Sequence, residues 1–146
     1  MTDKAKTAEY GDFQTPAGLA RSVCAVLKAQ GVRPASLLEP TCGVGGFLLA
    51  GLHEFPELHS AFGADINADY VKQAERALPQ RPDAHRARLV VADCFQIDWA
   101  SVIAELPEPV LILGNLPWVT NAHLGRLSSR NLPEKSNVAI CPWYST

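Results

Sequence analysis

A doubly wound, parallel α/β sheet is the fold class predicted by three features of this sequence. Short apolar runs of strand length alternate with stretches of helical periodicity, the pattern of repeated βαβ units. Residues 110–113 are four aliphatics in a row between Pro109 and Gly114, as expected of a strand buried on both faces. Four consecutive predicted strands end on, or run into, Glu39, Asp65, Asp93 and Asn115. Ligands of such sheets bind at the carboxyl ends of the strands, and polar residues scattered by chance would not track those ends.

The elements follow in order. Residues 1–9 are polar and are expected to form a flexible N-terminus. From Pro16 the pattern is helical: Leu19, Val23, Val26 and Leu27 form an apolar stripe at i, i+4, i+7 and i+8, and Gly31 closes the helix. Pro16 suits a first helical position, with Asp12 or Thr15 as a cap. A first strand is expected over 36–39, a glycine loop over 43–46 and a helix from Phe47 to Leu52. A second strand fits 61–65, and a helix over 68–78 is stopped by Pro79. A third strand covers 88–92, a short helix 99–106 and the fourth strand 110–113. Trp99 reads as a core residue and Asp98 as a surface one.

Composition narrows the class. A chain of 146 residues, 47% of them hydrophobic, makes at most one domain with a real core. A net charge of −2 gives no overall basic footprint for nucleic acid. Arg126, Arg130 and Lys135 outnumber Glu134 near the C-terminus, a local basic excess only. Cys24, Cys42, Cys94 and Cys141 show neither paired nor regular spacing, which argues against structural zinc or a disulfide scaffold and for a reducing compartment. No apolar run approaches a membrane span, and no apolar stretch follows the charged residues 1–6. A cytoplasmic location without membrane contact is expected, and no metal.

The motifs carry specific chemistry. Residues 39–46 read Glu39-Pro40-Thr41-Cys42-Gly43-Val44-Gly45-Gly46 between a strand and a helix. Glycines let a ligand approach the backbone, and a helix N-terminus offers free N–H groups. The spacing is neither the dinucleotide fingerprint nor a phosphate loop. Glu39 would repel a pyrophosphate and welcome a cation. Asp65, at the next strand end, suits ribose hydroxyls. Asp93 could accept from an adenine amino group with Phe95 on the ring, or serve only as a cap for the helix that follows. An ammonium, a ribose and an adenine together describe S-adenosylmethionine. Gly114-Asn115-Leu116-Pro117-Trp118 adds a carboxamide, a backbone carbonyl and a flat ring at the fourth strand end. That set suits a planar amino-bearing substrate; its plainer reading makes Trp118 a core anchor.

The sequence resembles the N-terminal, cofactor-binding part of adenine-N6-specific DNA methyltransferases of the restriction-modification type, over residues 10–137. Asp12-Phe13-Gln14-Thr15-Pro16 is similar to the family's F-x-T-P segment, and residues 38–47 to its glycine loop. Gly63-Ala64-Asp65-Ile66-Asn67 and Ala92-Asp93-Cys94-Phe95 are similar to its ribose and adenine contacts, and residues 114–118 to its [DN]-P-P-[YFW] turn. The resemblance implies a Rossmann-like S-adenosylmethionine-dependent methyltransferase fold. It implies cofactor contacts from Phe13, Thr15, Pro16, Glu39, Pro40, Thr41, Cys42, Gly43, Gly45, Asp65, Ile66, Asp93, Cys94, Phe95 and Asn115. Asn115 and the Leu116 carbonyl would hold the target amino group, with Pro117 shaping the turn and Trp118 stacking on a base flipped from the duplex. For Phe13 the plainer reading is a hydrophobic staple.

Two departures bear on the substrate. Leu116 stands where DNA enzymes usually carry proline, and Asn-Leu-Pro-aromatic resembles ribosomal RNA adenine dimethyltransferases, so RNA is the alternative substrate. A glutamine methyltransferase of release factors, with its Asn-Pro-Pro-Tyr turn, is a third. The family's sheet normally continues past this turn to a target-recognition region, whereas residues 138–146 form an atypical tail. The expectation is a truncated sheet with the fourth strand as a hydrophobic edge. The chain would then be one part of an enzyme completed by a second polypeptide, or a non-catalytic cofactor-binding remnant. Alone it is expected to show little sequence-specific activity.

Overall fold

The computed structural model describes residues 14–78 and 87–116. Helix α1 spans Ala17–Ala29, β1 Ser36–Glu39, α2 Gly46–Glu54, β2 Ser60–Asp65, α3 Ala68–Ala77, β3 Ala87–Val91, α4 Trp99–Ala104 and β4 Val110–Ile112. All strand pairings are parallel, in the order β3-β2-β1-β4. The predicted α/β class and the four strands are as observed, with bounds shifted by a residue or so. The chain steps outward from β1 to β3, then crosses back to lay β4 on the other side of β1. That reversal opens a crevice between the ends of β1 and β4.

Alternation along the strands sorts the core onto two faces. Leu37 and Ala61 pack with Ala20, Cys24, Phe47, Leu48 and Phe55 beneath α1 and α2. Leu38, Phe62 and Ala64 pack on the other face with Val90, Trp99 and Val102. All four residues of β1 are buried, as a strand flanked on both sides and both faces must be. Helix α3 packs against β2 and β3 and buries Val71 and Ala74. Trp99, half-buried, packs against this second face of the core, edge-on to Phe62 with ring centroids 6.2 Å apart.

Three expectations need correction. The buried stripe of α1 consists of Ala20 and Cys24, flanked by half-buried Val23 and Leu27; Leu19 and Val26 are 55% and 59% exposed. Small residues let α1 approach α2 closely, so the seam follows Ala20 and Cys24 rather than the bulkiest side chains. Pro16 is the N-cap of α1 and no side chain caps it. The other end is as expected: Gly31 takes a φ of 87°, and the Val32 and Gly31 N–H groups close on the Leu27 and Lys28 carbonyls. Helix α4 ends at Ala104, short of the expected 106, because its last turn tightens, with Glu105 and Leu106 N–H on the Val102 and Ile103 carbonyls. The expected tails at 1–9 and 138–146 lie outside the described residues.

Candidate functional site

The crevice is built first from the loop that follows β1. Gly43 and Gly45 have φ of 50° and 83°, which only glycine adopts without strain, and Gly45 is the N-cap of α2. Cys42 N–H donates to the Ala64 carbonyl at 2.7 Å, and Gly43 N–H donates to Asp65 Oδ2 at 2.7 Å. The loop is therefore fastened to the end of β2. Asp65 Oδ1 accepts from Asn67 N–H at 2.8 Å. Each carboxylate oxygen can accept a further bond, so Asp65 can still receive hydroxyls. Ile66 beside it is 69% exposed.

Glu39 is placed beneath this loop. It is 2% exposed, and its carboxylate accepts from Phe47 N–H at 3.3 Å and Leu48 N–H at 2.8 Å. An acid there complements the unpaired donors of a helix N-terminus. Burial pushes its pKa up to about 8, against the pull of the two N–H bonds and helped by the negative charge of Asp65. Burial likewise raises the Cys42 thiol to about 12, with Glu39 and Asp65 adding to it. A thiol so held packs and does not react.

After β3, Asp93 Oδ1 accepts from Phe95 N–H at 2.9 Å, closing its own turn; the cap of α4 is Asp98, which accepts from Ser101 N–H. Trp99 Nε1 donates to the Cys94 carbonyl at 2.8 Å, which pins this turn to α4. The Cys94 thiol is raised to about 11, by burial first and then by Asp93 and Asp65.

β4 brings in the last segment. Gly114 runs along Pro40, where an added Cβ would come within 3.4 Å of the proline ring. Thr41 Oγ1 donates to the Asn115 carbonyl at 3.1 Å, so the glycine loop holds the turn that carries Asn115. Leu116 is 57% exposed. A cleft of about 460 Å³ is lined here by Thr15, Pro16 and Asn115, which the sequence singles out, and by Gln14, Leu19, Phe47 and Gly114.

The structure thus joins Thr15, Pro16, Pro40, Thr41, Gly43, Asp65 and Asn115 in one connected set. It does not bring Glu39, Asp65 or Asp93 into the lining of that cleft. Phe13, Pro117 and Trp118 lie outside the described residues. Leu19 and Phe47 line the cleft although the sequence assigns neither to the site; Leu19 falls on the apolar stripe of α1, and no sequence signal marks it as exposed. Among the described residues no cluster of His, Cys, Asp or Glu could hold a metal, and no helix is long and apolar enough to cross a membrane.

The fold is the Rossmann-like fold of methyltransferases. A methyltransferase from Geobacter sulfurreducens superposes with a TM-score of 0.50 at 16% identity, over 84% of this chain and 75% of that one. In sequence the chain is 44% identical over 130 residues to the type II methyltransferase M.NspV of Nostoc sp. (strain ATCC 29411 / PCC 7524), a match that covers 88% of this chain. The chain spans 27% of the length of that relative. No protein-family model matches it.

Proposed function

We propose that this chain forms the S-adenosylmethionine site and catalytic turn of an enzyme that methylates the N6 amino group of adenine in DNA, within a restriction-modification system. The observation that carries the reading is the place of Asn115. It follows β4, is tied through its carbonyl to Thr41 of the glycine loop, and shares one cleft with Thr15 and Pro16. The 44% identity to a type II methyltransferase supports the same conclusion.

The residues present fit the cofactor. Gly43 and Gly45 let the loop take the left-handed turns that shape it, Asp65 would keep acceptor capacity toward a ribose, and Asp93 and Phe95 follow the next strand, where an adenine ring would lie. Thr15, Pro16 and Phe47 wall the cleft. The cofactor supplies an electrophilic methyl group on a sulfonium. An adenine amino group is a poor nucleophile because its lone pair is delocalised into the ring. The Asn115 carboxamide oxygen and the Leu116 carbonyl would accept its two N–H bonds and draw the nitrogen toward a pyramidal shape, lone pair outward. This is catalysis by positioning and electrostatics. Trp118 would stack on the base once it has left the duplex. β4 leaves Ile112 53% exposed, an edge on which a further strand would pair.

The test is titration calorimetry of S-adenosylmethionine into the chain with Asp65→Ala as control, followed by transfer of labelled methyl to adenine-containing duplex DNA and to RNA. Loss of binding in the variant is expected, with label on DNA adenine once the rest of the enzyme is supplied. A folded chain that binds no cofactor overturns the reading, and label on RNA alone moves the substrate to RNA.

A further inference from the structure

We infer that Gln14 is a positioning residue: its side chain latches segment 14–16 to the glycine loop and holds one wall of the cleft ready for a ligand. The inference rests on the reading of that cleft as a cofactor site.

Gln14 Oε1 accepts a hydrogen bond from Val44 N–H at 3.1 Å. Directly beside it, Gly43 has no room for a side chain, because a Cβ there would run into the Gln14 carboxamide. The next residue repeats the arrangement: a Cβ on Gly46 would come within 3.1 Å of the Thr15 carbonyl. Two glycines of the loop therefore receive two successive residues of the segment. One of them, Gly43, also donates to Asp65, so the latch ends on the same piece of backbone that fastens the loop to β2.

The energetic consequence follows from ordering. Gln14, Thr15 and Pro16 all line the cleft. If the segment were loose, a ligand would have to immobilise it on binding, at a cost to affinity. The latch places that ordering in the free chain. Its bond is exposed to solvent, so its net worth is that of an ordinary hydrogen bond, and losing it corresponds to about a five- to tenfold change in Kd. Glutamate at 14 has the same reach and still presents an acceptor oxygen to Val44.

The experiment uses the 146-residue chain, its Gln14→Ala variant and its Gln14→Glu variant. Hydrogen exchange at the Val44 amide is followed by NMR without ligand, and S-adenosylmethionine affinity by calorimetry. Val44 is expected to be protected in the parent chain and in Gln14→Glu, and to exchange faster in Gln14→Ala. Affinity should fall about five- to tenfold in Gln14→Ala; Gln14→Glu is read by Val44 exchange, which its acceptor oxygen should restore. Unchanged Val44 exchange in Gln14→Ala would remove the latch. Equal or tighter binding by that variant would overturn the positioning role. A parent chain that binds no cofactor overturns the cofactor reading and the positioning role together; Val44 exchange separates that failure from failure of the latch.

Discussion

Gly43 and Asp65 are joined by a hydrogen bond of 2.7 Å from the glycine N–H to the aspartate Oδ2, which locks the loop after β1 to the end of β2. The acid proposed to meet the ribose therefore also sets the shape of the loop. Asp65→Ala should act twice, removing a ligand contact and two intrachain bonds to backbone N–H. Hydrogen bonds to charged groups are worth about 1.5–3 kcal/mol, so cofactor Kd should rise by about a hundredfold. Asp65→Asn, which keeps one acceptor oxygen, should fall between the two in the same titration. Equal affinity in all three proteins would show that Asp65 shapes the loop but meets no ligand.

Asn115 should separate binding from turnover. Its carbonyl is what the structure ties to Thr41, so truncating its side chain leaves that tie in place. Asn115→Ala is expected to lower kcat by about a hundredfold or more, as for loss of a preorganised polar group at a reacting centre. Cofactor Kd should stay within about threefold, a change below 1 kcal/mol. Single-turnover methyl transfer beside equilibrium titration measures both quantities.

Thermal unfolding of two glycine variants should give opposite signs. A Cβ on Gly63 would lie 2.6 Å from Leu89 Cδ2, 3.0 Å from Leu48 Cδ1 and 3.2 Å from Cys42 Cβ. Gly63→Ala should cost about 1–3 kcal/mol through overpacking. Gly18, in the first turn of α1, has nothing within 4 Å of a built Cβ. Gly18→Ala should gain up to about 1 kcal/mol from helix propensity and the restricted unfolded chain.

The buried Glu39 makes stability depend on pH in an unusual direction for a carboxylate. Its pKa is raised from 4.5 to about 8 in the folded chain, so between these values the folded state holds a proton that the unfolded state has released. Its favourable contribution is complete below pH 4.5 and is lost as pH rises through about 8. Gln resembles the protonated form, so Glu39→Gln should flatten the decline of Tm across that window and gain most on its alkaline side. Parallel Tm profiles for the two proteins would show that Glu39 keeps its charge on the α2 N-terminus.

Much of this was legible because parallel sheets write their topology into composition. The run 110–113 is apolar, as a sheet strand should be, yet β4 is not buried on both faces as its composition predicts, for Ile112 is 53% exposed. β1 is the fully buried strand although it begins on Ser36 and ends on Glu39. The chemistry of Asp65 and Asn115 stands out at the strand ends. The buried seam of α1 departs from its hydrophobic stripe for a physical reason. Hydrophobicity ranks Leu19 and Val26 above Ala20 and Cys24, yet a close helix seam selects small residues. Glu39 is visible as an acid at a strand end, but its partners, the Phe47 and Leu48 N–H groups, are backbone and carry no sequence signature. The same holds for Gln14, whose partner is the Val44 N–H. The Thr41 hydroxyl on the Asn115 carbonyl spans 74 positions, a proximity that exists only once β4 has crossed back over β1.

That crossing has a kinetic meaning. The cleft takes Thr15 and Pro16 from before α1 and Gly114 and Asn115 from after β4, near opposite ends of the described chain. A chain that has assembled only β1, β2 and β3 holds the glycine loop and Asp65 but lacks a wall. Contacts between distant segments form slowly because the intervening loop must close first. With the proposed cofactor in that cleft, its affinity would report on the completion of folding. Partly synthesised or partly unfolded molecules would be blind to the ligand, and saturating ligand would selectively protect those chains in which β4 has docked.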